Sequence, residues 1–279
     1  MYGQLAANLA ASIKNNSPEI GIHLVYNKKA ISHLDEKKLS LFSSKKECPL
    51  SYCSRNGKPT PVMAKLYAYH LSPFENTILL DVDMVMTPRK KLGELFDELS
   101  NVGFTMENRG MIDLEKYSPG VHNYLWGDIG ELMRAYNITK GYLYTLHSEF
   151  VYFNRSEANF NLFKDAIEIF KNPKCKIVEF NGDLPDEFAF AISMIFNNLY
   201  PHKCPYIPIY WHLTDSNKGA SLEYVISNYY GYSVGGNNTP HIVRKRYNMI
   251  ARAASLRFGI KNPYSIIPKK SVLRTRKVM

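Results

Sequence analysis

The sequence predicts one α/β domain over residues 1–240, a mixed and mainly parallel sheet flanked by helices, with a basic helical tail over residues 241–279. Three observations carry that prediction. Short strand-like runs alternate with helical patterns of about ten residues or more, which is how parallel β–α units are written. Hydrophobic residues make up 45% and aromatic residues 13% of 279 residues, enough to pack a sizeable core. The +10 net charge is concentrated: residues 241–279 hold eleven Lys and Arg and no Asp or Glu, so the rest of the chain is close to neutral. There is no internal repeat and no linker composition before residue 240.

Taken in order, Leu5, Leu9 and Ile13 recur at one helical face and predict a helix over 3–14. Ser17-Pro18 turns the chain into a strand over 20–26. Residues 43–61, rich in Ser, Lys, Pro and Gly, read as a surface loop. Pro61 opens a helix that carries Met63, Leu66, Tyr67 and His70 and stops near Ser72-Pro73. Thr77-Ile78-Leu79-Leu80 reads as a buried strand that ends in Asp81-Val82-Asp83. A helix over 88–99, a strand over 102–106, an irregular stretch over 107–127 and a helix over 128–136 follow. Residues 142–154 form a strand, 156–171 a helix and 176–180 a short strand. Asn181-Gly182-Asp183-Leu184-Pro185 leads into an apolar helix over 186–199. In the tail, Met249, Ala253, Leu256 and Ile260 predict an amphipathic helix over 243–259 with its arginines on the other side.

Ligands of open α/β sheets sit beyond the carboxyl ends of strands. Two carboxylates one residue apart at such an end reach a common point if the backbone bends there, and an oxygen-preferring divalent cation is their natural partner. An acid-rich turn is the plainer reading of Asp81 and Asp83. The cysteines, Cys48, Cys53, Cys175 and Cys204, show no C-x-x-C pair and read as free thiols, not a zinc site. No run is long enough for a membrane helix and no signal peptide opens the chain, so the expectation is a cytoplasmic protein.

The block from Lys65 to Asp83, K-L-Y-A-Y-H-L-S-P-F-E-N-T-I-L-L-D-V-D, resembles the donor segment of Rossmann-like GT-A glycosyltransferases. It is nearest to the family of glycogenin and the bacterial lipopolysaccharide galactosyltransferases. The resemblance runs to about His241, although only the D-x-D block is specific. It implies transfer of a sugar, as a hexosyl- or pentosyltransferase, from a nucleotide-sugar donor of the UDP type to a hydroxyl acceptor, with manganese or magnesium as the metal. It implies Asp81, Asp83 and His241 as metal ligands and Tyr2, Lys65, Asp81 and Lys245 on the donor side, with Arg244 and Arg246 as further cations for the diphosphate. Asp186 and Glu187 match the acidic pair that faces the acceptor. Each has an alternative: a surface histidine for His241, a solvated lysine for Lys65, a frayed terminus for Tyr2. For Asp186 and Glu187 it is the ordinary preference of acids for helix N-termini.

Three departures stand out. Glu149 puts a charge inside an apolar strand, costly unless paired or functional, which makes it the runner-up to Asp186 and Glu187, although the family more often has small residues there. The Lys-Pro-Trp run that follows the family's histidine is missing. The family's opening strand, ahead of the first helix, is also missing, which reads as a fragment or as a nucleotide pocket built differently. These departures motivate another reading, a non-catalytic nucleotide- and nucleic-acid-binding protein on a relic fold. Nucleotidyl transfer is a third reading, without a triphosphate loop to support it. For the basic tail, peripheral contact with anionic lipid, contact with nucleic acid and a solvated extension all stay open. The acceptor is correspondingly a glycan, a lipid-linked sugar or a modified DNA base.

Overall fold

The computed structural model describes residues 1–120, 124–180, 182–200, 202, 206–211, 219–235, 239–261 and 263–266. Cys204, Asn181 and the tail cations from Lys269 to Lys277 lie outside the described residues.

Helix α1 (Tyr2–Asn16) is the axis around which the first half is built. The expected apolar stripe is there, but Gly3 and every position from Leu5 to Ile13 are buried, so the helix is covered on all sides. Alanines and Asn8 fill the positions a surface helix would give to charges. Strand β1 (His23–Tyr26) follows, then two single-turn helices, α2 (Lys28–Ile31) and α3 (Glu36–Leu39), capped by the side chains of Asn27 and Asp35.

The expected loop over 43–61 contains structure. Strand β2 (Ser44–Glu47) pairs parallel with β1, and a small antiparallel hairpin joins β3 (Ser54–Arg55) to β4 (Lys58–Pro59). Asn56 and Gly57 make its turn at φ 51 and 74, the left-handed pair that a two-residue hairpin demands. Ser-Lys-Lys-Glu gives no apolar alternation because β2 lies at the solvent edge, with its last three residues exposed.

The helix expected after Pro61 is broken at Tyr67 into α4 (Met63–Leu66) and α5 (Ala68–Leu71). Strand β5 (Asn76–Leu80) is half-buried rather than buried, and β6 (Met84–Met86) is fully buried. Next come α6 (Leu92–Glu98), β7 (Phe104–Asp113), α7 (Ile129–Tyr136), β8 (Tyr142–Asn154), α8 (Glu157–Lys171) and α9 (Asp186–Phe196). Asp128 and Ser156 cap α7 and α8. Strand β7 runs seven residues beyond its expected end because β8 is long enough to keep pairing with it across two irregular steps. Residues 176–179 are irregular, with only an isolated Phe180–Asp183 bridge after them. The described chain closes with β9 (Ile209–Tyr210), α10 (Leu222–Asn228), β10 (Gly231–Ser233) and α11 (His241–Arg257).

Pairing is mixed, as expected, but the parallel share is smaller. Strands β5, β8 and β7 form an antiparallel sheet with β8 in the middle. Strand β10 pairs antiparallel with β6 and parallel with β9. Asp81-Val82-Asp83 is the connection between β5 and β6, so it carries the chain from one sheet to the other.

Helix α11 belongs to the packed body. Val243, Tyr247 and Ala251 sit among Leu5, Val85 and Tyr232. A division at residue 240 therefore separates charge, not packing. The expected apolar face is also displaced. Met249, Ala253 and Leu256 are exposed, while Val243, Tyr247, Ala251, Ala254 and Ser255 face inward. A 4-3-4 spacing does not distinguish which of two apolar stripes meets the core.

The largest core lies between the β7–β8 sheet and helices α8 and α9. Phe163 is fully buried at its centre, with its ring centroid 4.9 Å from Phe153, 5.4 Å from Phe190 and 6.4 Å from Phe104. Phe163→Ala is expected to cost about 3–5 kcal/mol, read as a lower urea midpoint, because these rings cannot collapse into the space left behind.

Candidate active site

The site is held by the backbone on both sides of Val82. Asp81 N–H donates to the Glu149 carbonyl of β8 at 3.2 Å, and Val234 N–H donates to the Asp83 carbonyl at 3.1 Å. Val82 itself packs against the α1–α11 core. A turn at Val82-Asp83, with Val82 on the core, leaves the two carboxylates to the site, where Asp81 meets Lys65 and Asp83 Oδ2 lies beside Gly235.

Lys65, from α4, meets them. Its Nζ lies 2.8 Å from Asp81 Oδ1 and 3.9 Å from Asp186 Oδ2, and it donates to Ser148 Oγ at 2.9 Å. Ser148 Oγ in turn donates to Glu187 Oε1 at 3.2 Å. Asp81, Lys65, Asp186 and Glu187 are therefore joined by direct contacts, and neither acid caps α9, whose N-cap is Pro185. Asp186 is buried and its Oδ2 accepts no hydrogen bond. Burial works against the Lys65 ammonium, but Asp81, Asp186 and Glu187 outweigh it and hold its pKa above the ordinary value.

Glu149 forms a second group beside the first. Its Oε1 accepts from Ser233 Oγ at 3.0 Å, and Gly235 N–H donates to the same hydroxyl at 3.0 Å. A Cβ on Gly235 would stand 2.6 Å from Glu149 Oε1 and 3.2 Å from Asp83 Oδ2, so only glycine leaves that space to the two carboxylates. Glu149 Oε2 is buried with no hydrogen-bond partner. Burial, then the charges of Glu107, Asp81 and Asp83, push the Glu149 carboxyl well above its usual range. Burial and Asp81 raise Asp83 to about 6. Burial and Asp186 raise Glu187 to about 8. Burial is the leading cause in all three, and neighbouring carboxylates add to it.

A third layer closes this wall. Glu107 is fully buried and paired with Arg109, whose guanidinium lies 5.3 Å from the Trp211 ring. Trp211 Nε1 donates to the Gly235 carbonyl at 3.1 Å, and the His147 ring packs at 4.9 Å from the indole. Burial, with the cations Arg109 and Lys65, lowers His147 to about 3, so it is neutral at physiological pH.

The other expected residues stand elsewhere. Tyr2 is exposed in the first turn of α1, and among the described residues no contact joins it to the Lys65 group. His241 and Lys245 are exposed on α11 and line a groove of about 440 Å³ with Arg244, Asn248, Met249, Arg252, Ser265 and Ile266. The physical reason is the helix register. With Val243 and Tyr247 turned to the core, positions 241 and 245 face solvent. Among the described residues no three His, Cys, Asp or Glu side chains form a ready metal cage, so His241 does not join Asp81 and Asp83 in one.

Sequence reasoning missed Ser148, Ser233, Gly235, Glu107, Arg109, His147 and Trp211. The alternation of β8 carried a partial signal, since His147 and Glu149 share one face and Ser148 takes the other. Nothing local marks Gly235 or Trp211, which arrive from the far end of the chain.

No known protein family profile matches the chain, and no curated protein matches it. Solved structures do. The chain matches the apo structure of the bifunctional glycosyltransferase WbbM at 14% identity and a TM-score of 0.53, over 94% of this chain and 50% of that one. It thus spans about half the length of that protein. Mouse xyloside xylosyltransferase 1, also in apo form, matches at 12% identity and a TM-score of 0.42, over 85% of this chain and 94% of that chain. The α/β architecture is a GT-A-like glycosyltransferase fold, shared with WbbM.

Two consequences of the charge imbalance can be measured. A carboxyl whose pKa is raised on folding binds more protons in the native state, so its contribution is complete below the unfolded value and lost as pH rises to the folded one. For Glu187 that window runs from 4.5 to about 8. Thermal stability is therefore expected to fall between these pH values, by on the order of 5 kcal/mol, and Glu187→Gln to flatten the fall. Lys65→Met leaves Asp81 and Asp186 without their cation. It should cost about 3–5 kcal/mol near neutral pH, and less in acid, where the Asp81 carboxyl, raised by burial, takes up its proton; urea unfolding at neutral and acidic pH reads the difference.

Proposed function

We propose that the chain is a metal-dependent glycosyltransferase that moves a sugar from a nucleoside diphosphate donor, of the UDP-sugar type, to a hydroxyl acceptor. One observation carries the reading: four acids, Asp81, Asp83, Asp186 and Glu187, gather around the single ammonium of Lys65 at the β5–β6 junction of a glycosyltransferase fold. The Lys65–Asp83 block favours the glycogenin-type family.

The donor set fits a hard divalent cation, manganese or magnesium. Asp81 and Asp83 offer carboxylate oxygens, the orphaned Glu149 Oε2 lies in the same charge field, and Gly235 keeps the space clear. Such sites take few protein ligands and complete their shell from substrate phosphates, which suits a pair of carboxylates better than a full cage. Asp81 and Asp83 would hold the ion, and bound there it supplies positive charge against a diphosphate leaving group.

The chain's own groups do the rest. Lys65 holds Asp81 and Asp186 in place and brings a cation to the donor's side of the site. Glu187, with its pKa near 8, sits in the range where a carboxylate accepts a proton from an acceptor hydroxyl efficiently. In the transfer, the bond between the sugar's anomeric carbon and the diphosphate breaks, a new bond forms to the acceptor oxygen, and the hydroxyl proton passes to the base. His147, neutral and packed on Trp211, lines the wall without adding charge.

The test is release of nucleoside diphosphate from a panel of nucleotide sugars, with manganese and with chelator. Wild type should turn over only with metal, and Asp83→Asn should lose roughly 10²-fold or more in kcat. Equal rates in the two proteins would remove the metal assignment. Calorimetric binding of nucleotide without turnover would favour the relic binding protein instead.

A further inference from the structure

Helix α11 has a second apolar face that none of the described residues covers. Val243, Tyr247, Ala251 and Ala254 bind it to the body. Ile242, Met249 and Leu256 point the other way and are 50%, 54% and 52% exposed. They recur every seven residues, which is close to two helical turns, so they form one line along the outer surface. Exposed Ala253 lies beside that line. At 3.6 residues per turn, Lys245 and Arg252 fall on one flank of the stripe, and Arg246 and Arg257 on the other. Among the described residues, Lys245, Arg252 and Arg257 have no carboxylate within ion-pair distance, and Arg246 spends one donor on the Ala220 carbonyl at 2.8 Å. The groove of about 440 Å³ along this face is lined by Arg244, Lys245 and Arg252 and by no acid.

We infer that this face of α11 is a docking surface for an anionic phospholipid bilayer. Large apolar side chains in the middle of a cationic surface need a partner with hydrocarbon beneath a layer of negative charge. A bilayer interface supplies both: the stripe enters the acyl boundary while the flanking cations stay level with the lipid phosphates. A nucleic acid would satisfy the cations and leave Ile242, Met249 and Leu256 against phosphate. A second protein would need an apolar ridge with acidic rims to match a convex helix. No helix among the described residues is long and apolar enough to cross a membrane, so attachment is along the surface. The inference is independent of the catalytic reading, because none of its apolar residues belongs to the Lys65 group.

Co-sedimentation of the full chain with vesicles tests it. Binding to vesicles of phosphatidylcholine with phosphatidylglycerol should exceed binding to phosphatidylcholine alone by at least about tenfold, and weaken as salt rises. Ile242→Ser/Met249→Ser/Leu256→Ser should lose at least about tenfold of that binding at an unchanged melting temperature, since these side chains leave no core space. Arg252→Glu/Arg257→Glu should lose it as well. Asp83→Asn should bind like wild type, which separates this result from any failure of the glycosyltransferase reading. Binding no stronger to anionic than to neutral vesicles would overturn the inference, and so would full binding by the triple-serine variant. It would equally fall if duplex DNA bound wild type and triple-serine protein alike while vesicles stayed free. A concentration-dependent dimer that triple serine abolishes, without vesicle binding, would assign the face to a second copy instead.

Discussion

The ammonium of Lys65 is the contact on which the site depends. Asp81 arrives from the end of β5, Asp186 and Glu187 from the first turn of α9, and Ser148 from the middle of β8. Each of these elements belongs to a different part of the packing, and like charges alone would push them apart. One half-buried cation, 2.8 Å from one acid and 3.9 Å from another, holds them to a common point. It offsets only part of the charge. Burial, with the residual imbalance added to it, lifts Asp83 and Glu187 toward neutrality. Such perturbed acids mark a functional site more often than a structural one.

The same arrangement ties the site to the helices behind it. Val82 is sandwiched between two carboxylates and packs on a core made by α1 and α11. The Tyr247 hydroxyl of α11 accepts from Asn8 of α1 at 3.3 Å and ties the two helices together behind the acids. The inner face of α11 therefore supports the acidic bend, while its outer face carries the stripe and the cations. One helix serves the interior and the exterior, and its two apolar faces have different jobs.

That double role explains where the sequence misleads. The strands and helices with strong periodicity, β8, α8, α7 and α1, were legible because burial repeats at 2 or 3.6 residues. The split between α4 and α5, the polar strand β2 and the long continuation of β7 were not, since each depends on a partner strand or a packing neighbour distant in the chain. For α11 the periodicity was real and the face was wrong. Met249 and Leu256 are as apolar as any core residue, and only the packing against α1, β6 and β10 decides which stripe is covered.

By itself the sequence determined the α/β class, the acidic strand end at Asp81 and Asp83, the acids that open α9 and the cationic character of the last segment. These are local facts, written in residue type and spacing. The tertiary structure alone decided that Lys65 is the shared counter-ion, that Ser148 belongs to the site, and that Gly235 leaves room for Asp83. It also decided that His241 and Lys245 turn to solvent. The reason is physical: a contact between residues 65 and 186, or between 83 and 235, exists only after separate elements have packed, and packing sums over the whole chain what no window of it contains.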